Sequence, residues 1–313
     1  MLTTFTATLT PMLMMFSCIL IGYILNKTKT IPKGSQNILS RLETYAIIPA
    51  LTISSFSKYC SIATLQQQMQ LVIYSLIAVA VAITIATPLS ALFERKGYIR
   101  NIYKYALAYG NFGFMGNAIV LALLGEEALV HYMIFTTPLQ TGVLTWGVAQ
   151  LVPVKGDRGS FWKKLANPSF ISIVIGAIIG ITNTRQYIPA FLLNMMTDLG
   201  NCMAPLAMLL TGMVIGDYEI RALVAKPKVY IASLLRLLVL PTVILLLFAL
   251  LGASEYHLKL ILFAYAAPLG LNTVVYPAAY DLDTSTGAAM AVISHSLSVL
   301  TIPLMYALLT TFI

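Results

Sequence analysis

The sequence predicts an all-α polytopic membrane protein of ten transmembrane helices, built as a 5+5 inverted repeat in which the fourth and ninth helices are broken. Three observations carry that expectation. Of the 313 residues, 59% are hydrophobic and 10% charged, against about 25% charged in soluble domains. The charged residues gather in short clusters between apolar runs of the ~20 residues that a membrane span needs. Two of those runs, at matching places in the two halves, are interrupted by glycine, asparagine and proline, the pattern that marks the binding site of secondary transporters.

The apolar runs fall at roughly 8–26, 35–56, 67–92, 103–124 and 127–152, then roughly 168–184, 188–216, 228–252, 257–280 and 285–312. The first is apolar from the outset and lacks a basic leading segment, so it reads as a retained span rather than a signal peptide. The runs divide into a first repeat over 1–152, a basic linker over 153–167 and a second repeat over 168–313. Glu43 and Pro49 in the second run match Asp198 and Pro205 in the seventh, and Pro138 in the fifth matches Pro303 in the tenth. An odd number of spans per half turns the second half over relative to the first.

Orientation follows from the basic residues, which favour the cytoplasmic side. Lys27, Lys29 and Lys33 follow the first run, and Arg95, Lys96 and Arg100 the third. Lys155, Arg158, Lys163 and Lys164 follow the fifth, and Arg221, Lys226 and Lys228 the seventh. The intervening loops carry little more than Lys58, Arg185 and Lys259, with Glu126, Glu127 and Glu255. The chain is therefore expected in the inner or plasma membrane of the cell with both termini extracytoplasmic. The net charge of +8 is membrane topology rather than a nucleic-acid footprint.

The fourth run reads Ala106-Leu-Ala-Tyr-Gly-Asn-Phe-Gly-Phe-Met-Gly-Asn-Ala-Ile-Val120. Each glycine weakens a helix by about 1 kcal/mol, and Asn side chains compete for backbone hydrogen bonds. The ninth run contains Ala267-Pro-Leu-Gly-Leu-Asn-Thr-Val-Val-Tyr-Pro277. A helix broken in hydrocarbon survives only where protein or water covers it, and the N–H groups at a restarted helix attract negative charge. Asn111, Gly113, Gly116 and Asn117, with Pro268, Gly270, Asn272 and Thr273, are thus the candidate substrate-binding residues for a small organic anion. The competing reading makes the asparagines and glycines packing contacts between helices.

Intramembrane ionisable groups are the candidates for proton or ion coupling. Glu43 also suits an interfacial ion pair with Arg41, and Asp198 lies near the end of its run. His295, deep in the tenth run, suits either a proton relay or hydrogen-bonded packing. Arg236 is expected to snorkel or to cap carbonyls freed by a broken helix. Cys18, Cys60 and Cys202 lack metal-ligand spacing. The chain has no zinc-protease helix, no Gly-x-Ser-x-Gly turn and no phosphate loop, so neither an enzyme, a metal nor a cofactor is expected.

Asn111-Phe-Gly-Phe-Met-Gly-Asn-Ala118, Arg236-Leu-Leu-Val-Leu-Pro241, Pro268-Leu-Gly and the Thr301-Ile-Pro303 of Ser294–Leu304 resemble the auxin efflux carrier family, over essentially the whole chain. The short linker is similar to the bacterial permeases rather than to plant PIN and PIN-like carriers. The resemblance implies that the broken fourth and ninth helices cross at mid-membrane, in an elevator-type carrier that is often a homodimer. Helices 1, 2, 6 and 7 would be its scaffold, and helices 3–5 and 8–10 its moving domain. It puts the family's crossover asparagine at Asn111, while the two crossover prolines are replaced by Ala118 and Thr273. The substrate would be a mono- or dicarboxylate, such as malate or malonate, or an auxin-like acid. A cation–proton antiporter of similar crossed-helix fold would need acidic residues in the broken runs, which have none. A non-transporting membrane sensor is the third reading.

Overall fold

The computed structural model describes residues 2–152, 167–278, 280 and 282–312, and among them every regular element is helical. The basic linker with Lys155, Arg158, Lys163 and Lys164 lies outside the described residues. Among the described residues, six helices are long and apolar enough to cross a membrane: Leu2–Lys27, Ile62–Leu92, Phe112–Leu151, Ala190–Gly216, Pro227–Leu250 and Ser285–Thr311.

The remaining runs are shorter or interrupted, each for a local reason. α1 (Leu2–Lys27) is followed by α2 (Ser35–Leu42), a π turn over Glu43–Ile47, and α3 (Ile48–Tyr59). The π turn immediately precedes Pro49, which has no N–H to give the turn before it, and a helix takes up an extra residue there. α4 (Ile62–Leu89) is continuous, its first turn capped by the Ser61 hydroxyl. α5 (Tyr98–Ala108) stops in mid-run. The chain restarts through a π turn at Phe112–Gly116 into α6 (Asn117–Gly142) and, after another π turn, α7 (Val148–Leu151). Gly125, at φ 85°, divides α6 where the sequence predicts a boundary between two runs.

In the second half, α8 (Pro168–Ile181) is short. α9 (Ala190–Asn201) and α10 (Met203–Gly216) form one nearly continuous rod, followed by the brief α11 (Ile220–Val224). α12 (Pro227–Leu234) and α13 (Leu240–Leu250) flank a π turn over Leu235–Val239 that precedes Pro241. α14 (Glu255–Tyr265) breaks off, α15 (Asn272–Ala278) restarts the path, and α16 (Ser285–Phe312) closes the chain.

Two groups of helices share the core. α1 packs on α10, and α3 packs on α8 and α9. A Cβ at Gly22 would fall on the Leu209 carbonyl oxygen, and one at Gly212 on that of Ile19. Glycine at these positions brings the α1 and α10 backbones together, which in lipid substitutes close van der Waals contact for a hydrophobic drive. The second group joins α4, α5 and α6 with α12, α14 and α16, and α1 also borders α16.

Charge is sorted by end. Lys27 Nζ donates to the Tyr218 carbonyl at 2.8 Å and Lys228 Nζ to that of Phe93 at 2.7 Å, so the loops after α1, α4 and α10 meet at one end. The Lys58–Glu126 pair at 3.1 Å and the Lys259–Glu255 pair at 2.8 Å lie in the connections of the other set.

Candidate functional site

The two broken runs meet. α5 makes its last helical bond at Tyr109, whose N–H reaches the Tyr105 carbonyl at 2.8 Å, and Tyr109 itself is extended. The Asn111 carbonyl then accepts from the N–H groups of both Met115, at 3.1 Å, and Gly116, at 3.0 Å. That double acceptance is the π turn: one more residue fits before the helix becomes regular. The unwound stretch is therefore narrower than the glycine spacing predicts. It covers residues 109–111, and Gly113 and Gly116 already lie within the restarted helix.

Opposite it, residues 266–271 are unwound between α14 and α15. Gly110 and Leu269 form an antiparallel β-bridge, and the Asn111 N–H donates to the Pro268 carbonyl at 2.6 Å. The Leu269 N–H donates to Ser294 Oγ of α16 at 2.9 Å. Backbone groups released by one half are thus satisfied by the other half and by α16, the condition for non-helical backbone at membrane depth. Gly110 is where a side chain cannot fit. A Cβ there would lie 2.6 Å from the Ala267 carbonyl oxygen, 2.6 Å from Arg236 Nη2 and 3.0 Å from the Pro268 carbonyl oxygen.

One face of this junction borders a cavity of about 480 Å³. Asn111, Gly113, Asn117, Gly270 and Asn272 line it, with Phe112 and Phe114 beside them. Its other walls come from α2 and α3, from the Thr136, Thr137, Gln140 and Thr141 stripe of α6, and from α8 and α10. It runs to Gln36, Asn37 and Asn167, at the end where the basic loops gather. Among the described residues no Lys, Arg, His, Asp or Glu lines it.

Polar groups at the junction are individually oriented. His295 Nδ1 lies 2.7 Å from the Ala291 carbonyl, which fixes the proton on Nδ1. Nε2 is then the acceptor, and Asn111 Nδ2 donates to it at 3.4 Å. Asn272 Nδ2 donates to the Tyr105 hydroxyl at 2.8 Å, and the Tyr132 hydroxyl donates to the Phe112 carbonyl at 3.0 Å. Asn117 keeps a buried, unpartnered Oδ1. Among the described residues the N–H groups of Phe112, Gly113 and Phe114, at the start of the restarted helix, reach no acceptor outside it. Together with the second hydrogen of each amide, they leave a cluster of donors over the cavity.

The other expected site residues lie behind that surface. Gly116 packs against the Tyr132 hydroxyl, and Pro268 supplies the carbonyl that Asn111 uses. Thr273 is fully buried, its hydroxyl donating to the Gly270 carbonyl at 3.1 Å. Glu43 makes no pair with Arg41. It is 0% exposed, and neither carboxylate oxygen has a partner among the described residues, because the π turn starting at Glu43 turns it inward. Asp198 is exposed on α9 beside Phe191 and Met195, remote from the cavity. His295 contributes through Asn111 rather than by lining the cavity.

Arg236 is the participant that sequence reasoning under-rated. It is 1% exposed, so it does not snorkel, and its guanidinium lies over the Tyr265 ring, 5.5 Å from the centroid. The signal was its position five residues before Pro241, where the π turn at Leu235–Val239 faces it inward.

The family described as membrane transport protein matches residues 7–306. The chain is also similar to an uncharacterized transporter of Methanocaldococcus jannaschii. The two are 24% identical over 298 residues, covering 91% of this chain and 94% of the relative.

Proposed function

This chain belongs to the membrane transport protein family, that of the auxin efflux carriers, and we propose that it is an elevator-type secondary carrier of a small organic anion. The observation that carries the proposal is the paired junction bordering an uncharged cavity, with free N–H donors at the start of a helix. Donors and a helix N-terminus favour negative charge, and the absence of a fixed counter-charge in the wall lets the solute leave again. The substrate fits the carboxylate class, from malonate and malate to an auxin-like acid. Asn111, Gly113, Asn117, Gly270 and Asn272 form its surface, while Gly116, Pro268 and Thr273 shape the junction from behind.

The ten runs are read as ten spans in two inverted repeats. α1, α2–α3, α8 and α9–α10 are the scaffold, through which two copies pair, and the remaining helices carry the site. The positive-inside rule sets both termini outside and the cavity open to the cytoplasm. A cation–proton antiporter is disfavoured because no acidic side chain among the described residues reaches the cavity.

Uptake of a carboxylate panel into proteoliposomes tests this. Asn111→Ala and Asn272→Ala are each expected to lower uptake about tenfold, the upper end of what one net hydrogen bond is worth, because each amide also holds its neighbour in place. Undiminished uptake in both variants rejects the site.

Glu43 is the coupling group that the geometry favours over Asp198 and His295, since its carboxyl has no internal partner to give up. Glu43→Gln is expected to abolish accumulation driven by a pH gradient while solute exchange persists. Accumulation that survives both this substitution and collapse of the gradient excludes proton coupling.

A further inference from the structure

Arg236 carries a charge that nothing in the described chain neutralises directly. Its guanidinium is buried, and Nε and Nη1 have no hydrogen-bond partner. The ion pairs of the described residues are Lys58–Glu126, Lys228–Glu94 and Lys259–Glu255, none of which involves it. A guanidinium stays protonated in proteins, and an unpaired ion in a low-dielectric interior is costly. Something in the fold must answer that charge.

The neighbours supply two answers. Tyr265 presents its ring face to the guanidinium, and an aromatic face attracts a cation, while Tyr105 and Tyr132 are close enough to interact with it electrostatically. α5 and α14, each 11 residues long, end beside it at Ala108 and Tyr265. Helix C-termini carry partial negative charge. On the far side of the same junction are the free N–H groups of Phe112, Gly113 and Phe114. Gly110 separates the two sides: its backbone lines the cavity, and a Cβ on it would lie 2.6 Å from Arg236 Nη2.

We propose that Arg236 is the specificity-determining residue of this carrier, the fixed charge behind Gly110 that makes the junction select anions without touching the solute. It cancels the negative ends of α5 and α14 and leaves the donor-rich side as the field that the cavity feels. This inference rests on the organic-anion reading and names the residue that enforces it.

The test uses purified, full-length carrier and matched pairs of probes, phenylacetate with phenylacetamide and malonate with malonamide. Apparent Kd values come from ligand-induced thermal stabilisation, alongside carboxylate uptake in proteoliposomes. Wild type is expected to prefer each carboxylate. Arg236→Met is expected to weaken carboxylate binding about tenfold or more, as loss of a nearby buried charge does, and to leave amide binding unchanged, so that the preference collapses. Arg236→Lys is expected to keep the preference. A purely structural role would weaken both members of a pair equally, and that result, or an unaltered preference in Arg236→Met, overturns the inference alone. Should Arg236→Met not fold, Arg236→Lys decides: a retained preference supports the inference and a lost one overturns it. A wild-type carrier that neither binds nor takes up any carboxylate overturns the anion reading and this inference together.

Discussion

Gly110→Ala is expected to reduce uptake at least about tenfold in protein that still inserts and purifies as a single species. The added methyl group would lie 2.6 Å from both the Ala267 carbonyl oxygen and Arg236 Nη2. The carbonyl cannot retreat, because it belongs to the backbone that faces Gly110 across the bridge, and the buried guanidinium lies over the Tyr265 ring. Overpacking of this kind costs about 1–3 kcal/mol, and here it is relieved most readily by parting Gly110 from Leu269, which dismantles the site. Gly270→Ala separates crowding of the cavity from rupture of the bridge: its nearest new contact would be the Gly110 carbonyl oxygen at 3.5 Å, an ordinary van der Waals distance, so it adds a methyl group to the junction without parting it and a smaller loss is expected. Undiminished uptake in Gly110→Ala would mean that the junction is not the seat of transport.

Bridging α3 to α6 is expected to stop transport altogether. Thr52 of α3 donates to Met133 Sδ of α6 at 3.8 Å, a contact between the proposed scaffold and the proposed moving domain. In a background lacking Cys18, Cys60 and Cys202, Thr52→Cys with Met133→Cys can be joined by oxidation or by mercury. Uptake should fall to the level of empty liposomes and return on reduction or chelation. An elevator requires these helices to slide past one another, whereas a carrier that works by local gates would tolerate the bridge. Full uptake by the cross-linked protein would therefore reject the elevator while leaving the binding site intact.

The positions of the two breaks were legible because their causes are local: glycines and an asparagine at 110–113, and Pro268 with Gly270. Their width was not, since the extra residue of the π turn depends on the Asn111 carbonyl accepting twice. Glu43 and Arg236 show the same limit. Read by sequence neighbours, Glu43 suited a pair with Arg41 as well as a coupling role, and Arg236 suited either the membrane interface or the carbonyls freed by a broken helix. In the fold each begins or lies within a π turn that precedes a proline. The extra residue in such a turn rotates what precedes it relative to an ideal helix, so periodicity misplaces those side chains. His295 was legible as a polar residue in an apolar run, but its hold on Asn111 spans 184 positions of sequence and no local pattern encodes it.

The β-bridge between Gly110 and Leu269 works like a rivet through two sheets of metal. Because each half of the chain fills the backbone vacancies of the other there, neither can rearrange alone without stranding polar groups in an oily surrounding. In the proposed carrier the halves therefore shift in concert, and a pathway open to both sides of the bilayer at once would first have to shear the rivet. Tightness against leakage would then come from the backbone itself, whatever side chains later tune the cargo.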